Sequence, residues 1–135
     1  MDLLGRAYLW GLSGYHLFSG LVSAFFPTFA LAFYRRFYAC DPPQREDLFL
    51  ILKPWGGLSI FAGIVGFFAA ADPVRYRGVV FGLILLLVFR IYYRLAYARP
   101  LASVGRIPFH RNLLSVGLIA VGVLLLASLY LRGTP

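Results

Sequence analysis

Arg90 carries the greatest electrostatic cost in this sequence. It interrupts a run rich in leucine and valine, and a charged side chain that far inside an apolar segment costs about 2.5–3.5 kcal/mol on insertion scales. Arg90, Tyr93, Arg94 and Tyr97 follow one another at intervals of three and four, which on a helix places two guanidinium groups and two phenols on one face. Guanidinium donors match phosphate and carboxylate oxygens in pairs, so these residues, with Lys53 and Arg111, are candidates for an anionic headgroup site. An internal arrangement serves the same residues: Arg90 paired with Glu46, Asp47 or a backbone carbonyl, and the tyrosines anchoring the membrane interface. Side chains lean toward a helix N-terminus, so Lys53, near the start of its segment, can snorkel to the near interface. Arg90, near the end of its own, must reach against that lean.

His16 is the second candidate. With Ser13, Gly20 and Ser23 it forms a small, weakly polar helical stripe. A neutral imidazole there could ligate haem or chlorophyll, bind a quinone oxygen or relay protons. The internal alternative is a hydrogen bond from His16 to a serine or carbonyl of a neighbouring helix. His110 lies near the connection to the last apolar segment, and no second histidine, cysteine or carboxylate within the apolar segments completes a metal set. Neither a metal site nor a resident cofactor is therefore expected. The apolar segments hold no carboxylate, and the chain has no phosphate-cradling glycine loop and no paired nucleophile and base. Proton pumping and hydrolysis thus lack their usual parts, and a non-enzyme is expected. The lone Cys40 excludes an internal disulfide.

The elements that must position these residues follow from composition. With 61% hydrophobic and 13% charged residues in 135, the chain exceeds what a soluble domain of its size can hide from water. The net charge of +8 sits beside apolar runs rather than in a polar domain, which favours membrane-surface charge over nucleic acid. The expected architecture is all-α: a single integral membrane four-helix bundle with spans at about 7–26, 47–71, 76–98 and 112–131. The first segment lacks a clear cleavage site and is expected to be retained. Pro27 breaks it, and Thr28 to Tyr38, with Arg35 and Arg36 among aromatics, suits a short interfacial helix.

Cys40 to Asp47 reads as a polar connection whose acidic end starts the next span. Pro54 and Gly56-Gly57 are expected to loosen the first turns of that span, and Asp72-Pro73 to end it. Ala62, Gly66 and Ala70 recur every four residues as a smooth ridge for close helix approach. Basic residues concentrate on the first and third connections and their adjoining helix ends, nine against four at the other face. The positive-inside rule then puts both termini outside.

Some of these residues also resemble a known layout. His16-Leu17-Phe18-Ser19-Gly20 in a first span closing at Phe26-Pro27, Pro54-Trp55-Gly56-Gly57 opening a second, and Asp72-Pro73 before a third ending in arginine resemble the DoxX-like group of small four-span bacterial membrane proteins. The resemblance covers nearly the whole chain and implies a four-helix bundle of the bacterial inner membrane. Some relatives act as membrane subunits of quinone-linked or redox-associated complexes. It carries over no catalytic residue. The sterol-isomerase and emopamil-binding group shares the small multi-span format, but its intramembrane acidic residues are missing.

The leading expectation is a non-catalytic membrane subunit or scaffold. It would pack against other integral membrane proteins or itself through its Gly/Ala faces, and hold anionic lipid or an acidic partner at Arg90, Arg94 and Lys53. The alternatives are a small-molecule binder for quinone or lipid, with His16 and the Tyr93 to Tyr97 region lining a cavity, and a cofactor-ligating subunit of a respiratory or photosynthetic assembly. A pocket reaching His16 favours the binder; solid packing around it favours the subunit.

Overall fold

The computed structural model describes residues 2–38 and 46–132. The connection read from Cys40 to Arg45, and the Glu46 and Asp47 side chains proposed as partners for Arg90, lie outside the described residues. All regular structure among the described residues is helical: α1 (Asp2–Phe25), α2 (Pro27–Tyr38), α3 (Glu46–Ala71), α4 (Arg77–Ala96), α5 (Ala98–Ser103) and α6 (Phe109–Arg132). Three of them, α3, α4 and α6, are long and apolar enough to cross a membrane.

The breaks follow local chemistry. Phe26 interrupts the helix, and Pro27 opens α2 at a first-turn position where the missing amide hydrogen costs nothing. The short helix expected after the first span is thus present. Asp72 stops α3: its side-chain Oδ1 accepts a hydrogen bond from the Arg75 amide at 3.1 Å, and its carbonyl accepts one from the Tyr76 amide. Pro54 does not break α3, which runs through it as one helix. It deprives only the exposed Leu50 of a donor, near the helix start. The expected plain connection after Arg99 instead contains α5, because Pro100 falls in the first turn of that helix, where no amide bond is needed. The turn after it closes with Arg106 at φ 52° and the Ile107 amide donating to the Leu101 carbonyl.

The long helices alternate in direction. α1 runs antiparallel to α3 along a seam of small residues, where Ser13 faces Gly66, Leu17 faces Gly63, and Gly20 and Ala24 face Gly56. A Cβ on Gly20 would lie 2.6 Å from the Ile60 amide nitrogen, and one on Gly56 would lie 2.6 Å from that of Ala24. Without glycine at both positions these backbones could not meet. The ridge expected at Ala62, Gly66 and Ala70 is shifted: Gly66 lies in the seam and Ala70 in the core, but Ala62 turns aside. α6 packs antiparallel to α1 and α4, with Gly122 beneath the Tyr8 ring and Phe81 against Tyr130.

The bundle has two unlike halves. Near the chain termini, Leu9, Ala69, Ala70, Val80, Leu83, Leu87, Leu126 and Leu129 form one apolar core. In the other half α1 turns its polar residues inward. Ser13, His16, Ser19 and Ser23 are buried, whereas Leu3, Trp10, Phe18, Leu21 and Phe25 are exposed. This inverted amphipathicity puts large apolar side chains on the outer face of α1.

Candidate functional site

The buried polar residues of α1 are joined into a network. Ser23 Oγ lies 2.7 Å from the Tyr34 hydroxyl and donates to the Ser19 carbonyl, so α2 is tied back onto α1. From α3, Ser59 donates to the His16 carbonyl at 2.9 Å, and its Oγ also lies 3.1 Å from His16 Nδ1. Ser19 Oγ stands 3.4 Å from Ser59 Oγ. A serine of a neighbouring helix thus fixes the imidazole ring, the internal role foreseen for His16.

That role leaves one nitrogen over. His16 is 8% exposed, and its Nε2 is buried with no hydrogen-bond partner among the described residues. Burying such a group without a partner is costly. The protonation of Nε2 is set by Ser59, which has a single proton. When that proton goes to the His16 carbonyl, Nδ1 must be the donor to Ser59, and Nε2 is a bare acceptor. When it goes to Nδ1, Nε2 carries the hydrogen instead.

Beside this ring lies a cleft of about 390 Å³ between α1, α3 and α4, within the size range of small-molecule sites. Its wall is predominantly apolar, supplied by Trp55, Leu58, Ala62, Leu86 and Ile107. Its polar residues are Tyr15, His16, Ser19, Tyr34, Ser59, Arg90 and Arg94. Arg90 makes no hydrogen bond or ion pair with any described residue, so its guanidinium is not consumed by an internal partner there. Arg94 is held in place: it donates to Asn112 Oδ1 at 2.8 Å, and Asn112 Nδ2 donates back to the Arg94 carbonyl at 2.9 Å. Asn112, 3% exposed, thereby clamps α4 to α6.

Of the six residues expected to form a site, His16, Arg90 and Arg94 line the one cleft; the cavity expected between His16 and the Tyr93 to Tyr97 region is reached from that region by Arg94 rather than by the tyrosines. Tyr93, Tyr97 and Lys53 do not line it. Tyr93 is rotated about 100° from Arg94 around the helix axis and is exposed. It stacks on Tyr97, which caps the end of α4 beyond the cleft, with ring centroids 4.9 Å apart. Lys53 stands about 120° away from Ser59 around α3 and is exposed, as is Arg111.

Four contributors had no assigned role in the sequence. Trp55 belonged only to the Pro54-Trp55-Gly56-Gly57 opening of the second span and Asn112 only to a helix boundary, while Ser59 and Tyr34 went unmarked. Ser59 had a readable signal: it falls on the face shared by Gly56, Gly63 and Gly66, where α3 meets α1. Among the described residues no group of three histidine, cysteine or carboxylate side chains could hold a metal ion. Compared with family models, curated proteins and solved structures, the chain matches none.

Proposed function

We propose that this chain is a four-span membrane protein that binds a small, largely apolar molecule through an oxygen-bearing head, a quinone being the closest chemical match. One observation carries the reading: the apolar cleft is lined by both His16, whose buried Nε2 has no hydrogen-bond partner among the described residues, and Arg90, whose guanidinium has none among them either. The guanidinium donates to a carbonyl or anionic oxygen. Because Ser59 permits either tautomer, Nε2 can meet a carbonyl as donor or a hydroxyl as acceptor, and those are the oxidised and reduced forms of a quinone head. The apolar wall suits a ring or chain. Absorbing the cost of Arg90 in a binding role accounts for a charge that otherwise destabilises its span.

The fourth span in this reading is α1, whose inward polar stripe and apolar outer face suit lipid contact better than water. Both termini face outside and the arginine-rich connections face the cytoplasm of a bacterial cell, in keeping with the charge asymmetry. The DoxX-like layout supports the same placement. The scaffold reading keeps one supporting observation, since Gly11, Gly14, Gly78 and Gly82 have open space where a Cβ would be and would admit a neighbouring helix.

Extraction in mild detergent, followed by mass spectrometry of bound small molecules and proteins, tests the proposal. A quinone or similar amphiphile retained by the native chain and lost in both Arg90→Gln and His16→Phe is expected. Recovery of the native chain free of small molecules but with a stoichiometric protein partner would instead establish the scaffold.

A further inference from the structure

A second cleft, of about 260 Å³, lies at the opposite end of the bundle, where the start of α1, the α3–α4 turn and the end of α6 meet. Arg6, Arg77 and Arg132 reach it from three different helices, with Asp72 the carboxylate in its wall. Among the described residues lining it, three guanidinium groups stand with one carboxylate. The Asp72 carboxylate is also turned to local work, its Oδ1 accepting from the Arg75 amide.

Arg6 and Arg77 are oriented by contacts that leave donors available. Arg6 uses one Nη to cap the α3 C-terminus, donating to the Ala71 carbonyl at 2.9 Å. That favourable charge–dipole contact fixes the side chain at the cleft rim. Arg77 lies over the Tyr130 ring with its Cζ 4.2 Å from the centroid, so an aromatic face supports one side of the guanidinium plane. A stacked guanidinium keeps its in-plane N–H edges for hydrogen bonding. The Nε of Arg77 is buried and has no partner among the described residues. Neither Arg6 nor Arg77 forms an ion pair with a described side chain.

We infer that this cleft is a binding site for a phosphate-class oxyanion, distinct from the His16 and Arg90 cleft. Paired N–H donors from converging arginines are the arrangement that phosphate oxygens select. Its place at the helix ends suits either the headgroup of an anionic phospholipid or a free phosphate compound.

Phosphorus NMR of the purified full-length chain in neutral detergent, with phosphatidylglycerol and inorganic phosphate as separate probes, tests this. At least one probe is expected to bind saturably, and its affinity to fall at least tenfold in Arg77→Gln and in Arg132→Gln. Arg99→Gln, exposed on α5 at the far end, should bind like the native chain. Arg77→Lys keeps the charge but not the fork, and should recover only part of the loss. Binding of the lipid alone identifies a headgroup site; binding of inorganic phosphate identifies a site for the free anion. Failure of both probes to bind the native chain would overturn the inference. So would unchanged affinity in Arg132→Gln, which leaves the Arg77–Tyr130 contact in place and so serves even if Arg77→Gln misfolds.

Discussion

Ser59 and His16 are joined twice: the serine hydroxyl donates to the histidine carbonyl at 2.9 Å, and the same oxygen lies 3.1 Å from Nδ1 of its ring. One hydroxyl on α3 therefore holds the α1 backbone and is coupled to the tautomer of the imidazole. Ser59→Ala should lower stability by about 1 kcal/mol, in line with interhelical hydrogen bonds in membranes. It should also release the ring, so ligand affinity should fall further than the thermal midpoint in detergent suggests. A matched fall in midpoint with unchanged affinity would limit Ser59 to packing.

The α1–α3 seam makes a sharper stability prediction, because glycines on the same helix have opposite surroundings. A methyl at Gly20 meets the Ile60 amide nitrogen and the Gly56 carbonyl, whereas one at Gly14 meets nothing within 4 Å. Gly20→Ala should therefore destabilise by about 1–3 kcal/mol through overpacking against backbone that cannot yield. Gly14→Ala should be neutral or stabilise by up to about 1 kcal/mol through helix propensity. Thermal unfolding of the two variants side by side checks the difference in sign.

Asn112 and Arg94 exchange hydrogen bonds across α4 and α6. Asn112→Leu removes both bonds while keeping bulk. It should cost about 1–2 kcal/mol and let the Arg94 side chain move within the cleft. Asn112→Ala should cost more, because it adds a void. Hydrogen exchange at the end of α4 should rise in both, with α1 and α3 unchanged.

The sequence held the helical character and most of the helix ends, because apolar length and proline position are local signals. Pro27 and Asp72-Pro73 act on their own turns, and the helices stop there. What it could not supply was rotation about each helix axis. Arg90, Tyr93, Arg94 and Tyr97 share a broad face by spacing, yet only the two arginines turn toward the cleft, because Leu83 and Leu87 fix that orientation by entering the core. His16 and Arg90 are remote in sequence and belong to separate patterns. Their meeting depends on the glycine seam that sets how closely α1 approaches α3, a tertiary fact with no local signature. α5 was missed for a related reason: Pro100 excludes continuation of α4 but is permitted in the first turn of a new helix.

The central claim is that the His16 and Arg90 cleft takes up an apolar molecule with an oxygen-bearing head. Trp55 lines that cleft and Trp10 does not, and the chain has only these two tryptophans. Trp10→Phe thus leaves a single fluorophore at the site. Titration of that variant in detergent with a short-chain quinone should quench Trp55 fluorescence saturably, with affinity falling at least tenfold on adding either Arg90→Gln or His16→Phe. Quenching that grows linearly without saturation, and is the same in all three proteins, would contradict the account.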